Sequence, residues 1–135
     1  MVTGTRTGTY FASGKGFYKI YAMSMLHVLA IQDYKELWDS EEKIYPADNT
    51  ILNPINIDEK WLKDFDFKYF YTGSWCKDLN DKSAYIAIDI KYNNGVWLNI
   101  IQEGKENTVH LPEIKYIHEL QNLYFSLTGY ELRVL

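Results

Sequence analysis

Between Ala84 and Leu111 the sequence alternates with a period of two, and this stretch constrains the fold more than any other. Ile86, Ile88, Ile90 and Tyr92 fall on one side of an extended chain and Tyr85, Ala87, Asp89 and Lys91 on the other, the pattern of a strand with one face in a core and one in water. Asn93-Asn94-Gly95 supplies residues that tolerate positive φ, so a tight turn reverses the chain there. Val96, Leu98 and Ile100 then share a face, a second turn is expected at Glu103 to Asn107, and a short third strand ends near Leu111. Residues 84–111 read as an antiparallel meander with one isoleucine-rich face to cover.

The cover is expected from the segment that follows. Pro112 suits the first turn of a helix, where its missing amide hydrogen is not used. Gly129 suits a left-handed stop, and the spacing predicts a helix over 112–128 packed on the meander. At about 100° per residue, Ile114, Ile117, Leu120, Leu123, Tyr124, Phe125 and Leu127 sweep most of its circumference. Lys115, His118, Glu119, Asn122 and Ser126 share a narrow polar stripe, which either faces water or serves a ligand. His118 and Asn122, one turn apart, are candidate ligand-binding residues.

The run His118-Glu119-Leu120-Gln121-Asn122 stops one residue short of the helix motif that holds zinc in metalloproteases. That motif needs a second imidazole four residues on, so that both rings reach one metal. Asn122 stands there, its amide is a poor zinc ligand, and no other histidine falls in this helix. No metal site, cofactor or catalytic residue is expected from it.

Upstream, Thr3 to Tyr21 mixes glycine and threonine with aromatics and reads as a strand, a turn at Gly14-Lys15-Gly16, and a second strand from Phe17. The spacing fails the phosphate-loop pattern: five residues separate Gly8 from Gly14, and Gly16 stands where a serine or threonine would bind magnesium. Lys15 between two glycines remains a candidate for meeting an anion, as does Arg6. The segment Leu26 to Trp38 continues as a strand or begins a helix. Asp39 to Asn56, polar and holding Pro46 and Pro54, reads as a loop with an extended piece at Ile51 and Leu52. Asp58 then caps a short helix near residues 58–65, with Glu59 at its positive end and Ile57 and Leu62 placed as a hydrophobic staple. The fold class is α+β: a strand-rich N-terminal half built as a small open barrel or as hairpins, a short helix, and a meander packed on a C-terminal helix.

With 135 residues, 47% of them hydrophobic, the chain is expected to form a single domain over residues 1–135. A net charge of −4 argues against direct nucleic-acid binding along the phosphates, which depends on clustered lysine and arginine. The stretch Ile31 to Asp66 carries ten acids against four lysines, a local excess that suits a solvated face or a basic partner. The single cysteine, Cys76, cannot form an internal disulfide, and the start shows no charged head followed by an apolar secretory core. A cytoplasmic location is expected. The longest apolar run, Ile20 to Ile31, is broken by Ser24 and His27 and falls short of the roughly 20 residues a membrane helix needs. Cys76 lies in no nucleophile motif, and no pair of acids has a spacing that marks hydrolase chemistry.

The tail Tyr116 to Leu132 resembles that of a group of small proteins from Bacteroides-type bacteria and their phages and mobile elements, which end in Tyr-[Val/Ile]-His-[Gln/Glu]-Leu-Gln-Asn-Leu-Tyr-Phe-[Ala/Ser]-Leu-Thr-Gly-x-Glu-Leu. Pro54 to Leu62 is similar to that group's Pro-Ile-Pro-Leu-Thr-Glu-Glu-Trp-Leu segment, and Arg6 to Phe11 to its Arg-Ile-Gly-Asn-Tyr-Val start. Here Asn56 replaces the second proline, Asp58 the capping threonine, and Asp66 stands where a helix-ending glycine is usual. The resemblance implies a phage or mobile-element origin and an α+β fold, and brings no activity with it.

Aromatic excess (16%, with twelve tyrosines and four tryptophans) without a catalytic motif points to binding by occupancy. The expected partner is a host protein or a small nucleotide-like ligand, captured in a counter-defence role, with Arg6, Lys15, His118 and Asn122 meeting its polar part. Homo-oligomerisation is left open. The alternative is an inhibitor or mimic that turns the acidic stretch Asp33 to Asp48, with Asp39, Glu41 and Glu42, against a basic nucleic-acid enzyme. A hydrolase whose site forms only on folding is the third reading.

Overall fold

The computed structural model describes residues 9–13, 16–23, 27–32, 42–46, 53–70, 73–79, 83–90 and 95–134. In chain order its elements are β1 (Tyr10–Ser13), β2 (Gly16–Met23), β3 (His27–Gln32), β4 (Glu42–Pro46), α1 (Glu59–Asp64), β5 (Lys68–Tyr69), β6 (Ser74–Asp78), β7 (Ala84–Asp89), β8 (Gly95–Gln102), β9 (Lys105–Leu111) and α2 (Ile117–Thr128). The fold is α+β. It divides into two compact units, one of Met1–Asn56 with Tyr116–Asn122 and the other of Ile57–Lys115 with Leu123–Leu135.

In the first unit, successive antiparallel hairpins build a four-stranded sheet in the order β1-β2-β3-β4. Ser13 faces Gly16 across the first turn, and β2 shifts register between Ile20 and Ala22. The segment that could begin a strand or a helix is a strand over His27–Gln32, and its continuation to Trp38 lies outside the described residues. Strand β4 corrects the expectation of a loop after Asp39. It is an edge strand that ends on Pro46, where a missing amide hydrogen interrupts no interior ladder. Ile51 and Leu52 lie outside the described residues. Asn53 bridges Ala12, each amide donating to the other's carbonyl at 2.7 and 2.9 Å.

Helix α2 begins at Ile117, five residues after Pro112, which stands in a turn. Extended pairing delays the start: Tyr116 bridges Asn56, and the Ile117 amide donates to the Ile55 carbonyl at 2.8 Å. The Glu119 carboxylate reaches back to accept the Tyr116 amide at 3.0 Å, half of a capping box. Ile117, His118, Leu120 and Gln121 are buried.

In the second unit Asp58 caps α1 as expected, accepting the Trp61 amide at 2.9 Å. The exit closes as a Schellman motif, with the Phe67 amide on the Leu62 carbonyl and the Asp66 amide on that of Lys63. Asp66 holds the left-handed conformation at φ 66° that glycine would take most easily, and Lys68 Nζ lies 2.7 Å from its carboxylate. The meander is part of a five-stranded antiparallel sheet in the order β5-β6-β7-β8-β9. Strands β5 and β6 were not expected, because they are short and charges at Lys68, Lys77 and Asp78 obscure their alternation. Ile86, Ile88 and Val96 are fully buried on one face, opposite Lys77, Trp75 and one another. Two side-chain contacts link that face to helix residues of the same unit: Lys63 Nζ sits 5.9 Å from the Trp75 ring and Lys77 Nζ 6.0 Å from the Tyr124 ring. Gly129, at φ 77°, ends α2 as expected, its amide donating to the Phe125 carbonyl at 2.8 Å. Among the described residues no helix is long and apolar enough to cross a membrane.

Candidate functional site

Register carries the other face of the five-stranded sheet. Cys76 faces Lys68 on one side and Ala87 on the other, Asp78 faces Tyr85, and Trp97 faces His110. Directly opposed residues in an antiparallel sheet project to the same side, so these side chains gather on the side turned away from Ile86 and Ile88. The Trp97 and His110 rings stack at 4.1 Å between centroids and 16° between planes. Thr108 donates its hydroxyl hydrogen to Asn99 at 2.7 Å, and Tyr85 donates to the Glu106 carboxylate.

At the β5–β7 end of this face lies a cavity of about 580 Å³, lined by Asp66, Lys68, Phe70, Cys76, Lys77, Asp78 and Tyr85. That volume is in the range of small-molecule sites. Of its two lysines, Lys68 pairs with Asp66, and Lys77 lies 6.0 Å from the Tyr124 ring while its charge also reaches Asp66. The Lys68 hydrogen bond and charge together hold the Asp66 carboxyl below the usual carboxylate range. Asp78 has no ion pair among the described residues, and the lining sets two carboxylates, Asp66 and Asp78, against two lysines, Lys68 and Lys77.

Both acidic protons in the cavity are held tightly. Burial, and then the Asp78 charge, push the Cys76 thiol from 9.0 up to about 11. The hydrogen bond to Glu106, followed by burial, pushes the Tyr85 phenol up to about 12. At neutral pH both groups are protonated, so neither a thiolate nor a phenolate is poised to attack a substrate. A rise from 9.0 to about 11 lowers the thiolate fraction at neutral pH roughly 100-fold. Alkylation of Cys76 by iodoacetamide is therefore expected to be slow at pH 7.5 and to accelerate with a midpoint near 11, as mass spectrometry across a pH series would read. Rapid modification with a midpoint at or below 9 would contradict this environment. Folding favours both neutral forms, so stability is unaffected by these groups below pH 9 and falls as pH climbs from 9 towards 12.

None of the residues singled out from sequence is among the described lining of this cavity. Arg6 and Lys15 lie outside the described residues, as do Asp39, Glu41 and most of the acidic stretch Asp33 to Asp48. His118 is 1% exposed and stacks on Phe11 at 4.8 Å, so it belongs to the interior of the first unit and not to an open polar stripe. Asn122 is half-buried on the same unit. Among the described residues no group of three or more His, Cys, Asp or Glu is placed to hold a metal ion. The sequence signal for the cavity was Tyr85 on the non-isoleucine side of its strand. Its neighbours Cys76 and Asp78 became visible only with the pairing of β6 to β7. No family model, curated protein or solved structure matches the chain.

Proposed function

We propose that the protein acts by occupancy, capturing a small organic cation in the cavity between β5, β6 and β7. One observation carries this reading: the cavity joins two aromatic rings, Phe70 and Tyr85, to a carboxylate, Asp78, that has no ion pair among the described residues, while Lys68 is paired with Asp66. A cation on an apolar body gains from the carboxylate and from the ring faces together. A nucleotide phosphate would be opposed by Asp78 and would compete with Asp66 for Lys68, so a cation is preferred there to the nucleotide-like ligand expected from aromatic content alone. The protonated thiol and phenol support binding over turnover. The tail resemblance supports a phage or mobile-element setting, in which capture of a small effector would serve counter-defence.

Calorimetry tests this with probes of opposite charge. Tyramine and agmatine are expected to bind, and Asp78→Asn to weaken them about 3- to 10-fold, the scale of one partly exposed ion pair. Adenosine monophosphate and inorganic phosphate are expected to give no heat. Binding of the anions with silence from the amines would overturn the reading.

A further inference from the structure

We infer that Glu106, on β9 and outside the cavity lining, is a positioning residue for the cavity's ligand: it tethers the Tyr85 side chain across β8 and so fixes one aromatic wall. The inference rests on the proposed capture of an organic cation and names the residue that prepares the wall for it.

Register sets the length of the reach. Tyr85 on β7 faces Asn99 on β8, and Glu106 on β9 faces Ile101 on β8. A link from Tyr85 to Glu106 therefore spans two strand spacings, about 10 Å, and crosses β8 between Asn99 and Ile101. Ile100, which lies between those two, projects to the opposite face and leaves the crossing clear. The phenol hydroxyl completes the span by donating to the Glu106 carboxylate. Asn99 is only 6% exposed although it lies on the face turned away from Ile86. That burial fits a ring laid beside it from β7, with Thr108 donating to its side-chain oxygen from β9.

Two consequences bear on the ligand. A phenol has one hydrogen to give, and Glu106 takes it, so Tyr85 offers the cavity a ring and oxygen lone pairs but no donor. A cation gains from those groups and an anion gains nothing. A hydrogen bond to an ionised acceptor is also among the stronger ones, and it holds a single rotamer of a side chain that would otherwise exchange between several on an open sheet face. The wall is ordered before the ligand arrives, which spares binding that cost. The Tyr85 phenol, pushed up to about 12 chiefly by this bond, carries its spectroscopic signature.

Calorimetry with tyramine, on variants shown by circular dichroism to be folded, reads the outcome. Glu106→Ala and Tyr85→Phe should each weaken binding about 3- to 10-fold, and the double variant should bind no more weakly than the weaker single one, because both remove the same tether. Glu106→Gln, whose amide oxygen still accepts, should stay within about twofold of the parent. Carbon-13 NMR at tyrosine Cζ, with Tyr85 assigned through Tyr85→Phe, should show its titration midpoint falling from about 12 towards 10.0 in Glu106→Ala. Losses that add in the double variant, Glu106→Gln as damaging as Glu106→Ala, or a midpoint unmoved without Glu106 would overturn the inference. Full-strength tyramine binding by Glu106→Ala would sink it and leave cation capture standing, whereas silence from the parent protein would sink both.

Discussion

Gln121→Leu is expected to destabilise the protein by about 2 kcal/mol, although leucine is the more apolar residue and the site is fully buried. The Gln121 side-chain oxygen accepts the Tyr10 amide at 2.8 Å, across 111 residues of sequence. Leucine fills much of the same volume but accepts nothing, so the Tyr10 amide is left in a dry interior without the hydrogen bond it lost to folding. An unsatisfied buried amide costs about 1–3 kcal/mol, more than the transfer gain of the apolar side chain returns. Urea denaturation would give the total. Native-state hydrogen exchange would localise it, with the Tyr10 amide losing protection first. Unchanged exchange at Tyr10 would show that the bond does not hold β1 to α2.

A larger loss, about 3–4 kcal/mol, is expected for Ile86→Ala. Ile86 is fully buried in the middle of its sheet, between Lys77 and Leu98 on the adjacent strands. Truncation removes the transfer energy of the lost carbons and leaves a cavity that packed neighbours on two strands fill only in part. The contrast is Ile101→Ala. Ile101 is 41% exposed on the opposite face, and its truncation should cost under about 1 kcal/mol. Denaturant midpoints of the two variants, compared at equal slope, read the difference. Equal costs would mean that the sheet is not one-sided.

Much of this fold was legible because local rules set it. The alternation from Ala84, the cap at Asp58 and the stop at Gly129 each depend on a few neighbouring residues, and each stands where the spacing placed it. What escaped depends on partners far along the chain. Strand β4 is recognisable only once β3 lies beside it, and β5 and β6 only once β7 does. The second turn is two residues, Glu103 and Gly104, shorter than the expected Glu103 to Asn107, because Glu103 enters positive φ that its side chain does not advertise. On the helical wheel His118 counted as polar. Its ring is nevertheless buried, because Phe11 stacks on one side of it and Tyr116 lies 6.0 Å away, nearly parallel. The cavity is the same lesson in chemistry: Asp66, Cys76 and Tyr85 are strangers in sequence until three strands pair.

Occupancy without turnover is tested most directly by following two-dimensional 1H–15N spectra of the protein during titration with tyramine. Shifts are expected to gather at Phe70, Cys76, Asp78 and Tyr85 and to saturate, with the tyramine recovered chemically unchanged. Shifts centred on His118 and Asn122, or conversion of the tyramine to a product, would contradict it.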